Sequence, residues 1–460
     1  MTDQSLSSTT RLIDRASSIR FDVLPAETLT VARHCLRDWI AVGLAGSTEP
    51  IAQYLRDEVH DRGGQPQATV FGGNRRVPAH DAALCNGAAA HALDFDDVLE
   101  TMLGHPTAPV LSAVFAVGEQ IGASGPDVLT AFVAGVEVES TLGRLMEPGH
   151  HEAGWHTTGT LGTFGATAAV AHLMHLDRKQ WSHAFGLAAA QAAGVKAGFG
   201  TMTKPFHAGR AAANGVLAAS LAHRGVTGPS NVIEAPRGYA ELTTDTFDPT
   251  ALASSPADDF DIRHVLFKWH ASCYLTHSLI EGLRRIRALL PLGTPDVISI
   301  RLHVLPVHLT TCALDTVRTG LEGKFSMRYL AGLALVAGKA GEGEFSDEWL
   351  EHSEIRRLMA LVEIHPDHTG PQMATPVEVR TRSGQVFRSC VDVGIPARGY
   401  GLIEQQQRLV DKYYALVDPL IGRAASEQLS DRINAFDRID DIQSVLAPLS
   451  TAAAFSPTGS

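Results

Sequence analysis

The sequence predicts a mainly α-helical protein: a large all-helical domain with an inserted, smaller α+β lid domain. Three observations predict it. From about residue 26 to 225, apolar residues recur at helical spacing in alanine-rich segments punctuated by glycine and proline. Strand-period alternation is confined to a stretch that begins near residue 265, and helical patterning returns at 402–421.

The first clear helix is 25-PAETLTVARHCLRDWIAVGLAG-46, where Pro25 and Glu27 sit in a starting turn and Leu29, Ala32, Leu36, Trp39 and Ile40 share a face. Further helices are expected at 79–93, 106–121, 125–146, 158–176, 178–194 and 206–224, each alanine-rich and poor in β-branched alternation. Strands are expected at 297-VISIRLHVL-305, 376-PVEVRTR-382 and 385-QVFRSCVDV-393, with Ser383-Gly384 as a hairpin turn between the last two. Helices at 274–290 and 325–338 fall among them, and 402–421 and 426–448 are helical again. The division is therefore a helical domain over 1–264, an α+β lid over 265–401 and a helical return over 402–460, ending in a frayed tail at 450–460.

Composition sets outer limits. A chain of 460 residues is too long for one ordinary core. The formal net charge of -12, without a clustered excess of Lys and Arg, argues against a nucleic-acid surface. Five scattered cysteines show neither a CxxC pair nor a disulfide framework, and the polar start MTDQSLSSTTRLIDR has no secretory apolar region. The longest apolar runs are interrupted by His and Gly and are too short to span a bilayer. A cytoplasmic protein with no membrane and no nucleic-acid partner is the expectation.

Five stretches carry chemistry-bearing residues. In 94-DFDDVLE-100, carboxylates crowd the C-terminal end of a helix, where the dipole gives them no help. A solvated acidic loop and a DDxxE magnesium motif are the alternatives to a reactive role. His105 precedes Pro106 at a helix start, beside exposed backbone N–H groups. In 149-GHHEAGWHTTGTLGTFG-165, His156 stands at another helix start, and the glycines suit close helix packing better than a dinucleotide loop because no strand precedes them. His150, His151 and Glu152 lack the spacing of a metal site, so no metal is expected. Lys204, before Pro205, is expected just outside a helix start, where it meets an anion resting there. In 267-FKWHASCYLTHSLIEG-282, Lys268, Cys273 and His277 gather at the boundary between the helical and α+β parts; a cysteine nucleophile with His277 as its base lacks a third orienting group.

Taken in order, HALDFDDV, GHPTAPVLSAVFAVGE, WHTTGTLGTFGATAAVAHLM, GTMTKPFHAGRAAANG, FKWHASCYLTH and FSMRYLAGLAL span the chain, and together they resemble the MmgE/PrpD family. That family includes 2-methylcitrate dehydratases, cis-aconitate decarboxylase and iminodisuccinate epimerase. The resemblance implies a homodimer with a helical domain, an α+β lid that closes over the substrate, and an active site without cofactor or metal. By motif it places Asp94, His105, His156 and Lys204 at catalytic positions; Lys268, Cys273 and His277, at the domain boundary, are expected to bind substrate. Two positions depart from the decarboxylase wording: Val98 replaces a threonine and Cys273 a histidine. The implied substrate is a small polycarboxylate, because the family's reactions form or protonate a carbanion-like carbon flanked by carboxylates. Dehydration of a 2-methylcitrate-like hydroxy acid is the leading expectation, with epimerisation or decarboxylation as the alternative and a non-catalytic binding protein as a remote one.

Overall fold

A computed structural model describes residues 7–253, 259–291, 293–446 and 449, so the tail at 450–460 lies outside the described residues. The fold is mainly α with one four-stranded sheet. Two compact units divide the described residues: 7–92, 96–253, 259–265, 396–446 and 449 belong to the helical one, and 93–95, 266–291 and 293–395 to the α+β one.

The helical unit is built on Ala26–Gly46, Ala79–Ala92, Thr107–Ile121, Gly125–Met146, Thr157–Leu173 and Thr203–His223. Helices Ser8–Ser17 and Pro50–Arg62, which the apolar periodicity does not announce, complete its flank. Several of the central helices are buried on almost every side, which explains their weak amphipathic patterning. Small residues let their backbones approach. A Cβ on Gly209 would lie 2.3 Å from the Leu84 carbonyl oxygen, where Thr203–His223 crosses Ala79–Ala92. Gly209→Ala should therefore destabilise the fold by about 1–3 kcal/mol, since the overpacking against backbone outweighs the better helix propensity of alanine. Thermal or denaturant unfolding of the variant checks this.

The glycines of GTLGTFG serve the same purpose. A Cβ on Gly162 would meet Pro109 at 2.8 Å and one on Gly165 would meet the Glu139 carboxylate at 2.7 Å. Close packing, not a phosphate loop, is their role. Helix Gly401–Ile421 returns to pack on Ala26–Gly46, where Lys412 pairs with Asp38 at 2.7 Å in the interior. The helix expected at 426–448 is shorter, Arg423–Asn434, followed by two 3-10 turns.

In the α+β unit, β1 (Val297–Val304), β2 (Val362–Pro366), β3 (Val377–Thr381) and β4 (Val386–Ser389) form a sheet of order β2-β1-β3-β4. β2 runs parallel to β1, and β3 and β4 are antiparallel to their neighbours. Gly384, at φ 87°, makes the expected β3–β4 turn. β2 escapes the pattern reading because it is five residues long, closes on Pro366 and buries one side chain. Helix His277–Arg287 packs its apolar face on β3 and β4.

Candidate active site

In the helical unit, three helix N-termini bring their polar residues together. His105 lies two positions before Thr107–Ile121, His156 is the N-cap of Thr157–Leu173, and Lys204 and His207 lie in the first two turns of Thr203–His223. Lys204 is thus inside the helix rather than ahead of it: Pro205 is the third helical residue, a position with no intrahelical acceptor to lose. The loop before His105 is held by Leu99–Gly104 bridging, and the His105 N–H donates to Thr158 Oγ1 at 3.0 Å. The His156 N–H donates to the Gly194 carbonyl at 3.0 Å.

His91, which the sequence does not single out, and Asp96, read there only within the acidic run, complete this cluster. His91, at the end of Ala79–Ala92, and Asp96 are both buried. His91 Nδ1 lies 2.9 Å from both Asp96 oxygens, and His105 Nδ1 lies 3.2 Å from Asp96 Oδ2. The His91 ring centroid is 4.4 Å from that of His105 and 5.7 Å from that of His156. His156 in turn shares a proton with His207, Nδ1 to Nδ1, at 3.0 Å. The Nε2 atoms of His91 and His156 have no hydrogen-bond partner among the described residues. Lys204 is buried with its ammonium over the Phe199 ring, 5.4 Å from the centroid.

Burial and the Lys204 charge push His156 well below the ordinary histidine range, so it is a neutral imidazole. Burial also lowers His91, to about 3, against the pull of Asp96. Burial raises Asp96, but His105 and His91 overcome it and hold the carboxyl well below its usual range. Asp96 is therefore an anion that accepts from imidazole N–H groups and fixes their tautomer.

Asp97 behaves oppositely. It accepts from Thr107 Oγ1 at 2.5 Å, and burial, then Asp38, push it up to about 8. The solvated-loop reading of this run is overturned, since Asp94, Asp96 and Asp97 are all interior. A carboxyl whose folded pKa exceeds its unfolded value favours folding below about pH 4 and loses that contribution as pH rises towards 8. Asp97→Asn should therefore flatten the fall in melting temperature between pH 5 and 9, by about 2 °C or more. Paired melts of wild type and variant across that range give the answer.

Asp94 is grouped with the α+β unit. Its backbone is left-handed, at φ 51°, which aspartate tolerates better than most residues. Lys268, fully buried, reaches both Asp94 Oδ1 at 3.0 Å and the Asp94 carbonyl at 2.8 Å, while Lys324 holds the Leu93 carbonyl at 2.6 Å. Cys273 hydrogen-bonds Cys312, which lowers the Cys273 thiol against the effects of burial and Asp94. His277 stacks on Tyr274, with centroids 4.6 Å apart, and is held neutral by burial. The partner of Cys273 is thus a second thiol, not His277 acting as its base.

The ligand atoms of His91, Asp96 and His105 lie within 4.8 Å of one another. Both Asp96 oxygens lie 2.9 Å from His91 Nδ1, and Asp96 Oδ2 lies 3.2 Å from His105 Nδ1. His150, from the HHE stretch, has a separate role: it bonds the Thr243 carbonyl and Thr160 Oγ1 at 3.0 and 2.8 Å.

Two family models match the chain: the MmgE/PrpD N-terminal domain over residues 10–252 and the MmgE/PrpD C-terminal domain over residues 270–438. The chain belongs to the MmgE/PrpD family. This MmgE/PrpD protein is 26% identical to the cis-aconitate decarboxylase of Homo sapiens, over 91% of its own length and 89% of that enzyme's. It is 24% identical to the cis-aconitate decarboxylase-like protein oryM of Aspergillus oryzae, over 96% of its length and 97% of the relative's. A cis-aconitate decarboxylase of Aspergillus terreus is likewise 24% identical, over 97% and 98%. The MmgE/PrpD protein is an enzyme of the lyase type. None of the helices among its described residues is long and apolar enough to cross a membrane.

Proposed function

We propose that the protein is a hydro-lyase that dehydrates a 2-methylcitrate-like hydroxy polycarboxylate by acid/base chemistry. One observation carries this reading: three helix N-termini and Lys204 surround two neutral imidazoles, His91 and His156, whose Nε2 atoms carry no hydrogen bond among the described residues. Helix N-termini and an ammonium attract carboxylates, and neutral imidazole is a proton acceptor at working pH.

In this reading, Lys204 binds a substrate carboxylate and His156 Nε2 takes the proton from the carbon beside it. The C–H electron pair becomes the new C=C bond as the C–O bond breaks, and the hydroxyl leaves as water with a proton from His105. Asp96 holds His105 and His91 in orientation. Asp94 and Lys268 fix each other, and neither is assigned a step. A homodimer, cytoplasmic and without metal or cofactor, belongs to the same proposal; sedimentation reads the assembly and exhaustive chelation reads the metal.

A second reading, decarboxylation, is favoured by the names of the relatives. The same cation and proton-transfer groups would then protonate the carbon left after carbon dioxide departs. Val98, a buried apolar residue, and Cys273, whose thiol meets Cys312, differ from the decarboxylase wording at positions 98 and 273 and favour dehydration. Incubation with a panel of di- and tricarboxylates, followed by NMR and carbon dioxide detection, tests the assignment. Gain or loss of an alkene with conserved carbon supports dehydration. Carbon dioxide release supports the second reading, and silence across the panel refutes both.

Lys204→Ala should weaken polycarboxylate binding roughly 10- to 100-fold, the loss expected for a buried charge-assisted contact. Lys204→Arg should restore little of it, because a planar fork replaces a point charge. Direct binding titrations on both variants decide.

A further inference from the structure

In the helical unit, a cavity of about 350 Å³ is lined by Arg33, Arg37, Arg438, His34, Asn434 and Asp437, among others. We propose that it is a second binding site, for a small multivalent oxyanion of the phosphate or polycarboxylate kind. This inference is independent of the reaction assigned above.

The carrying residue is Arg37. It projects from the middle of Ala26–Gly46 and is buried, 2% exposed. Its Nη1 donates to Ser430 Oγ at 2.9 Å and its Nη2 to Asn434 Oδ1 at 2.7 Å, and its guanidinium lies 5.3 Å from the Tyr413 ring centroid. None of these partners is anionic, and among the described residues no carboxylate pairs with Arg37. Burying a cation without a counter-charge is costly, and a guanidinium presents five donors, of which these two bonds use two.

The surroundings add positive charge. Arg33 is half-buried and Arg438 is exposed, so guanidinium groups run from the mouth to the floor of the cavity. The one carboxylate among the named lining groups, Asp437, is 3.1 Å from Arg33 and offsets that cation. Two guanidinium charges then remain in a chain whose formal net charge is -12. His34 stands as a neutral wall, since burial pushes it down to about 4. Planar forks at two depths match the spread oxygens of phosphate or a polycarboxylate better than a monovalent halide.

Calorimetric titration of the full-length protein with inorganic phosphate, at constant ionic strength set by chloride, tests the site. Saturable binding is expected, weakened about tenfold in Arg438→Gln, the loss of one charge-assisted contact, and abolished in Arg37→Met. Arg438 is exposed, so its variant keeps the test valid if Arg37→Met fails to fold. Titration with tricarballylate separates the sources. Two tricarballylate sites per chain in wild type, one of them weakened about tenfold in Arg438→Gln, mark a carboxylate ligand, whereas saturation by phosphate alone marks phosphate. Absence of saturation by either anion, or binding unchanged in Arg438→Gln, overturns the proposal.

Discussion

His156→Gln is expected to lower turnover by roughly 10²- to 10⁴-fold, the usual consequence of losing a general acid or base, while leaving the fold and most substrate binding in place. The direction follows from the local geometry. His156 Nδ1 is engaged with His207, Nε2 has no hydrogen-bond partner among the described residues, and burial with the Lys204 charge keeps the ring neutral. A glutamine can keep the hydrogen bond to His207 but cannot accept and release a proton. Steady-state kinetics with a direct binding titration, and circular dichroism to exclude misfolding, measure it. Near-normal turnover would remove His156 from the mechanism and leave His91 Nε2 as the remaining imidazole acceptor.

Asp96→Asn should cost a comparable 10²- to 10⁴-fold in turnover, although the residue touches no reacting atom. Its carboxylate accepts from His91 and lies beside His105 Nδ1. An amide presents one acceptor and one donor in that place, so one imidazole loses its tautomer or turns away. The effect should fall on kcat more than on KM, because Lys204 and the helix N-termini still bind the substrate. The variant's pH–rate profile should also shift, which a merely structural role would not produce. Removing one member of a buried charged network can cost about 3–5 kcal/mol of stability, and a thermal melt of the variant separates that loss from the kinetic one.

Much of the scaffold was legible because helical periodicity and glycine and proline punctuation are local signals. Ala26–Gly46, Thr107–Ile121 and Gly125–Met146 lie close to where the pattern places them, and so do β1, β3 and the turn at Gly384. Signals that depend on tertiary context were not legible. Lys204 was placed outside its helix because Pro205 reads as a first helical residue, when proline is equally tolerated later in the first turn. The pairing of His91 with Asp96 needs the chain to turn back after Ala92, and nothing in an alanine-rich helix marks its last histidine as functional. Short acidic runs are usually solvated, so the burial of Asp96 and Asp97 became visible only when Thr107, Asp38 and the two imidazoles were seen to enclose them. The motif wording, by contrast, named Asp94, His105, His156 and Lys204 as one set without showing what holds them.

The central claim is that this chain takes a proton from, or returns one to, a carbon beside a carboxylate. Wild-type enzyme and His156→Gln incubated in deuterated water with the turned-over polycarboxylate test it most directly, with deuterium in recovered substrate and product located by NMR. Run from the alkene towards the hydroxy acid, wild type should place deuterium on the carbon adjacent to the carboxylate as the C=C bond takes up water, and His156→Gln should do so at least about a hundredfold more slowly. Hydration of the alkene by wild type with no deuterium on that carbon would contradict the account.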